Sequence, residues 1–143
     1  MTNNEKKDYI QFAIDYGKKL DNRLKNENKC QKIDAFKNRA KDFPSLVVQE
    51  GLVPALTFYY AKAEGKIDDI SKISCDELSN EGRGYSAYMG FLMDALRNFA
   101  SLKCENALSC IEEVRKNELI ITNKILPVLI EMKKISSIVG GQK

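Results

Sequence analysis

The stretch from Ala40 to Gly65, AKDFPSLVVQEGLVPALTFYYAKAEG, constrains the fold more than any other, because it joins two helical signals through one glycine. Phe43 precedes Pro44, so Phe43 is pushed out of the α region while Pro44 is preset for a first helical turn. One helix is therefore predicted to stop near Asp42 and another to begin at Pro44. Gly51, after Gln49 and Glu50, is placed to take the positive φ that closes this short helix. Leu52, Ala55, Leu56, Tyr59, Tyr60 and Ala63 then share one face at helical spacing, Pro54 stays within the tolerated first turn, and Gly65 supplies the stop. The segment reads as a helical elbow buried in a bundle, with Pro44 and Gly51 as its structural corners.

The rest of the chain carries the same period. Thr2 and Glu5 form a capping box, and Tyr9, Phe12, Ala13, Tyr16, Leu20 and Leu24 trace an apolar stripe. Asn26 to Asn28 is a polar break, after which Ile33, Phe36, Ala40 and Phe43 mark a narrower stripe on a basic helix. Ser74 and Glu77 cap a short helix, and Ser79 to Gly84 (SNEGRG) reads as a loop. Tyr85, Tyr88, Met89, Leu92, Leu96 and Phe99 form one stripe of a long helix, and Phe91, Ala95 and Leu102 form a second, which assigns it to the middle of a bundle. A last helix is expected from about Asn106 to Ser137, broken near Asn117 and kinked at Pro127. In it Ile121, Ile125, Val128, Met132, Ile135 and Val139 make a heptad-like seam, which Leu126, Leu129 and Ile130 widen. No period-two alternation competes. The expectation is an all-α fold, a compact bundle of about five to seven helices without a sheet, as one domain over residues 1–143 with a flexible tail from about 140.

Composition narrows the chemistry. The chain has no histidine, which removes Ser-His and Cys-His nucleophile systems and helical Glu-x-x-His metal motifs. Cys30, Cys75, Cys104 and Cys110 contain no Cys-x-x-Cys pair, so they read as buried or idle thiols. A bridge between Cys104 and Cys110 is disfavoured, because residues six apart on a helix point to different faces. No Walker loop or dinucleotide fingerprint occurs, and no cofactor, metal, catalytic residue or small-molecule substrate is expected. No apolar run reaches the roughly 18 residues of a membrane span, and the polar first residues, MTNNEKKD, contain no signal-peptide core. A cytoplasmic protein without membrane contact is expected. The net charge of +3 hides an alternation. Residues 1–41 hold eleven Lys or Arg against six acids, 42–81 three against eight, and 82–143 nine against six. Such blocks suit a basic face for one partner and an acidic region for another.

The elbow also resembles the signature of the small, all-helical subunit of the type III-B (Cmr) CRISPR effector complexes. There, a basic helix ends at a Leu-Pro or Phe-Pro step, followed by an aliphatic run, a Gly-Leu and an Ala-Leu-x-Phe helix. Here these are Phe43-Pro44, Ser45-Leu46-Val47-Val48, Gly51-Leu52 and Ala55-Leu56-Thr57-Phe58. Leu119-Ile120-Ile121-Thr122 and Lys133-Lys134-Ile135 resemble the closing helix, and together the matched parts cover under half the chain. The resemblance implies a non-catalytic scaffold that partners other subunits of the effector complex, stacks with further copies of itself and supports binding of guide RNA/target RNA. Charge and helical spacing then nominate the cations that would meet phosphates: Lys37, Arg39 and Lys41 on the basic helix, with Arg97, Lys103, Lys133 and Lys134 extending the path. The alternative is a helical protein-interaction adaptor with no nucleic-acid role, whose mark would be a contiguous exposed apolar patch.

Overall fold

The segment with two apolar stripes lies at the centre of the computed structural model, which describes residues 2–26, 34–69 and 81–139, with side chains described for 9–22, 34–69 and 83–139. Six α-helices and no strand occur among these residues: α1 (Thr2–Asn26), α2 (Asp34–Glu50), α3 (Leu52–Lys62), α4 (Glu81–Ala100), α5 (Ala107–Lys116) and α6 (Glu118–Ile138). The fold is all-α, as the helical spacing predicts. Helix α4 packs against α2, α3 and α6; α1 and α2 both lie on α6, and α5 sits on α3 and α6.

The predicted stripes of α1 to α4 face the core where their side chains are described, whereas Ile130, expected to widen the seam of α6, is 42% exposed. Ala13, Tyr16 and Leu20 of α1, Phe36, Ala40 and Phe43 of α2, and Leu52, Ala55, Leu56, Tyr59 and Tyr60 of α3 are buried. On α4 the burial extends nearly all round, from Tyr85 through Leu96. Tyr88 is its hub, with ring centroids 5.8 Å from Phe36, 5.4 Å from Phe43, 5.7 Å from Tyr59 and 5.3 Å from Phe91. Tilted aromatic contacts of this kind contribute beyond their buried area, so the cluster fixes α2, α3 and α4 against one another.

Three local expectations change. Helix α2 does not stop at Asp42: it runs through Pro44, which is buried inside it. Proline removes only the bond to the Ala40 carbonyl, and burial of Phe36, Ala40, Phe43 and Val47 on one continuous face outweighs that loss. The Gly82-Arg83-Gly84 end of the expected loop belongs to α4. Gly84 is there for proximity, since a Cβ at this position would lie 2.7 Å from the Ala35 Cβ and 2.8 Å from its carbonyl carbon. Gly90 does the same for the connection after α3, where a Cβ would meet the Asp68 carbonyl oxygen at 2.0 Å. The third change is a disulfide between Cys104 and Cys110, with S–S 2.08 Å and Cα–Cα 4.1 Å. The two residues do not share a helix: Cys104 lies in the connection before α5 with φ +45°, which turns it back towards the first turn of that helix.

The elbow turns at Gly51, at φ +100° and ψ 158°. Its N–H still reaches the Val47 carbonyl at 2.8 Å and its carbonyl accepts from Ala55 at 3.1 Å, so one residue ends α2 and starts α3. Gly65, at φ +75°, donates to the Tyr60 carbonyl at 2.8 Å and closes α3. The expected break at Asn117 separates α5 from α6. The Thr2 and Glu5 side chains, Leu24, Ile33, Cys30, Cys75, the Ser74/Glu77 cap and the tail from 140 lie outside the described residues.

Two substitutions test this packing. Gly51→Val forces a β-branched residue into positive φ and brings its Cβ to 3.2 Å from the Glu118 carboxylate, so unfolding free energy should drop by roughly 1 to 3 kcal/mol. Gly84→Ala would gain about 1 kcal/mol of helix propensity in an open helix. Here it should lose stability, and a higher denaturation midpoint for that variant would contradict the close approach of α2 to α4.

Candidate nucleic-acid interface

Two residues along an α-helix turn through about 200°, so Arg39 cannot share a face with Lys37 and Lys41, while Lys37 and Lys41, four apart, can. The structure places them accordingly. Arg39 lies on the flank of α2 that faces α3 and α4, with only 16% of its side chain exposed. Its guanidinium stacks 4.4 Å from the centre of the Tyr85 ring, donates to the Tyr85 hydroxyl and pairs with Asp42 at 3.7 Å. The Tyr59 hydroxyl donates to the Arg39 carbonyl at 3.0 Å. Arg39 is an internal strut, not a cation presented to solvent.

Lys37 and Lys41 lie on the opposite flank, along the seam with α6. The Lys37 ammonium donates to the Val139 carbonyl at 3.0 Å, a cation at the negative end of α6. Further along the same seam, Pro44 and Val48 share a hollow of about 240 Å³ with Leu126 and Ile130. The two contacts show that α2 and α6 run antiparallel, with Lys41 level with Lys133 and Lys134. Lys133, three residues beyond Ile130, continues the row that faces α2. Lys41 and Lys133 are exposed and carry no ion pair among the described residues. Lys134 turns towards Glu131, pairing at 3.0 Å, on the side where Glu131 and Tyr9 line a second hollow.

Arg97 and Lys103 belong to a different place, the connection between α4 and α5. The Arg97 guanidinium donates to the carbonyls of Lys103 at 3.0 Å and Cys104 at 2.8 Å, and approaches Asp94 at 3.4 Å. From the other side the Glu113 carboxylate accepts from the Lys103 and Cys104 N–H groups, both at 2.9 Å. These two backbone donors hold the Glu113 carboxyl below its ordinary range. Of this pair only the Lys103 side chain is left for a ligand.

Of the seven nominated cations, therefore, the seam gathers Lys37, Lys41 and Lys133, Lys134 adjoins them, Lys103 stands apart on the α4–α5 connection, and Arg39 and Arg97 are committed to the protein's own backbone and rings. Sequence reasoning did not reveal the partners that commit them, Tyr85 and the 103–104 carbonyls, because these contacts join residues from different helices or from irregular backbone. Pro44 and Gly51 sit in the hollow and at the turn of the same helix. Among the described residues no cluster of three His, Cys, Asp or Glu side chains could hold a metal, and no helix is long and apolar enough to cross a membrane.

Residues 6–138 match the family described as CRISPR-associated protein (Cas_Cmr5). The chain belongs to that family. The match spans α1 to the last turn of α6, including both helices of the seam. Membership in Cas_Cmr5 makes this a small Cmr-type CRISPR-associated subunit, with other subunits of a CRISPR complex as partners. No curated protein and no solved structure matches the chain.

The contrast between the two flanks of α2 is measurable. Arg39→Ala should cost about 1 to 3 kcal/mol in urea unfolding, since it removes a stacked, hydrogen-bonded guanidinium. Lys41→Ala should change stability by no more than about 0.5 kcal/mol. Equal effects would contradict the assignment of Arg39 to the interior and Lys41 to the surface.

Proposed function

We propose that this Cas_Cmr5 chain is a non-catalytic structural small subunit of a type III-B CRISPR ribonucleoprotein, which stacks with copies of itself and lies against the guide RNA/target RNA duplex through the α2–α6 seam. The observation that carries the reading is the antiparallel register that brings Lys41 and Lys133, both exposed and without an ion pair among the described residues, level on one surface beside Lys37. Ammonium groups spaced along a seam neutralise phosphates without reading bases, and base pairing by the guide supplies specificity. The absence of histidine and of any recognised nucleophile motif supports a scaffold over an enzyme. A ribonucleoprotein of this type works in the cytoplasm.

A second reading, a helical adaptor without a nucleic-acid role, is favoured by one feature. Val48 (73% exposed) and Ile130 (42%) are apolar side chains around the seam hollow, open to a protein partner. The two readings separate on charge reversal. In the reconstituted effector complex, Lys41→Glu with Lys133→Glu should leave the helical spectrum and assembly intact. The dissociation constant for target RNA should rise roughly tenfold, and the dependence of log K on log salt should flatten by about the two lost contacts. Wild-type affinity with a wild-type salt slope would remove the RNA-lining role and leave the adaptor.

A further inference from the structure

The crest of α2 has a hollow on each side, and the two differ in chemistry. Ser45 and Gln49, both exposed, line both of them. On the α6 side the other walls are aliphatic or proline: Pro44, Val48, Leu126 and Ile130. On the α3 side a cleft of about 330 Å³ has aromatic and charged walls instead, with Phe58, Tyr85, Arg39 and Asp42 facing the same two polar side chains. That volume falls at the lower end of small-ligand clefts, about 300 to 1,000 Å³.

Phe58 is the unusual residue. It is 48% exposed on a helix whose neighbouring Tyr59 is buried, so its ring is held at the mouth of the cleft and not in the core. It is also fixed there: its ring makes an edge contact with Tyr85 at 6.5 Å and 79°, and the Lys62 ammonium stands 5.6 Å from its centre. Lys62 thus flanks the aromatic wall at Phe58, while Arg39, committed to Tyr85 and Asp42, holds the other end of the wall in place. Opposite the rings, the Gln49 amide offers donors and an acceptor, Ser45 offers a hydroxyl and Asp42 an acceptor.

We propose that the cleft between α2 and α3 binds one unpaired nucleobase of single-stranded RNA, stacked on Phe58 with its edge towards Gln49, Ser45 and Asp42. Aromatic faces interleaved with cations are the means by which proteins hold unpaired bases with little sequence preference, and polar groups in the plane of the base meet its edge. An apolar side chain of a protein partner would be served by the hollow on the other side of the crest, which shares Ser45 and Gln49 but has neither an aromatic wall nor a charged side chain. The inference rests on the proposal that the chain works against RNA, and it adds a contact to bases where the seam contacts only phosphates.

The test uses the full chain and fluorescently labelled oligoadenylate of about twelve nucleotides, long enough for one cleft and its flanking phosphates. Phe58→Leu keeps apolar bulk at an exposed position and removes the π face, and Phe58→Tyr restores it. Phe58→Leu should weaken oligoadenylate binding about 5- to 100-fold with an unchanged salt slope, and Phe58→Tyr should bind as wild type. An abasic ribose-phosphate oligomer should bind the wild type and Phe58→Leu equally. Equal oligoadenylate affinity for wild type and Phe58→Leu, with a normal salt slope, would overturn the base site and leave the phosphate-binding seam standing. A wild-type chain that binds neither oligomer at low salt would overturn both. If Phe58→Leu kept its RNA affinity and lost association with itself or with other effector subunits, the cleft would be a protein contact and the base site would be wrong.

Discussion

The position of α2 depends on how closely its first turn approaches α4 at Gly84. Any side chain there would press on Ala35, so the two backbones meet where α2 begins. That approach sets Phe36 and Phe43 against Tyr88 and lays the Arg39 guanidinium over Tyr85. Once one flank of α2 is committed in this way, the helical repeat puts Lys37 and Lys41 on the other, beside α6. The charge distribution on α2 thus follows from core packing: the cation nearest the aromatic core becomes a strut, and of the two half a turn away Lys37 holds the end of α6 while Lys41 is left at the surface.

The junctions between helices follow a second constraint, that the end groups of each helix need partners from elsewhere. At the start of α3, Gly51 has no side chain with which to cap, and the Val53 N–H is taken by the Glu118 carboxylate at 2.8 Å, reaching over from α6. Before α5 the connecting strand of backbone is held from one side by Arg97 and from the other by Glu113, with the Cys104–Cys110 bridge between them. Asn106 then caps α5 reciprocally with Ser109. Arg97, Glu113 and Glu118, charged residues carried on helices, do much of this work, which withdraws Arg97 from the cations a ligand could meet.

What was legible in the sequence was the set of apolar stripes. Tyr85 to Phe99 reads as a central helix because apolar residues occupy two of its sides, and α4 is buried nearly all round. The elbow at Gly51 and the stop at Gly65 were legible because positive φ favours glycine. The errors have a common physical origin in judging residues by local preference. Pro44 signals a helix start only while no continuous buried face runs through it. Gly82 and Gly84 signal a loop only while no second helix lies against them. Cys104 and Cys110 are incompatible on one helix, yet the connection before α5 takes Cys104 off it. In the candidate interface, helical spacing brought Lys37 and Lys41 together but could not place Lys133 opposite them, because that depends on the register of two helices separated by most of the chain.

Lysine protection tests the proposed RNA-facing role of the α2–α6 seam without altering the protein. In the reconstituted complex, amine-reactive labelling read by mass spectrometry with and without target RNA should show Lys41 and Lys133 losing reactivity, with Lys18 and Lys19 of α1 unchanged. Protection of α1 lysines with Lys41 and Lys133 still fully reactive would place the RNA on another surface and contradict the account.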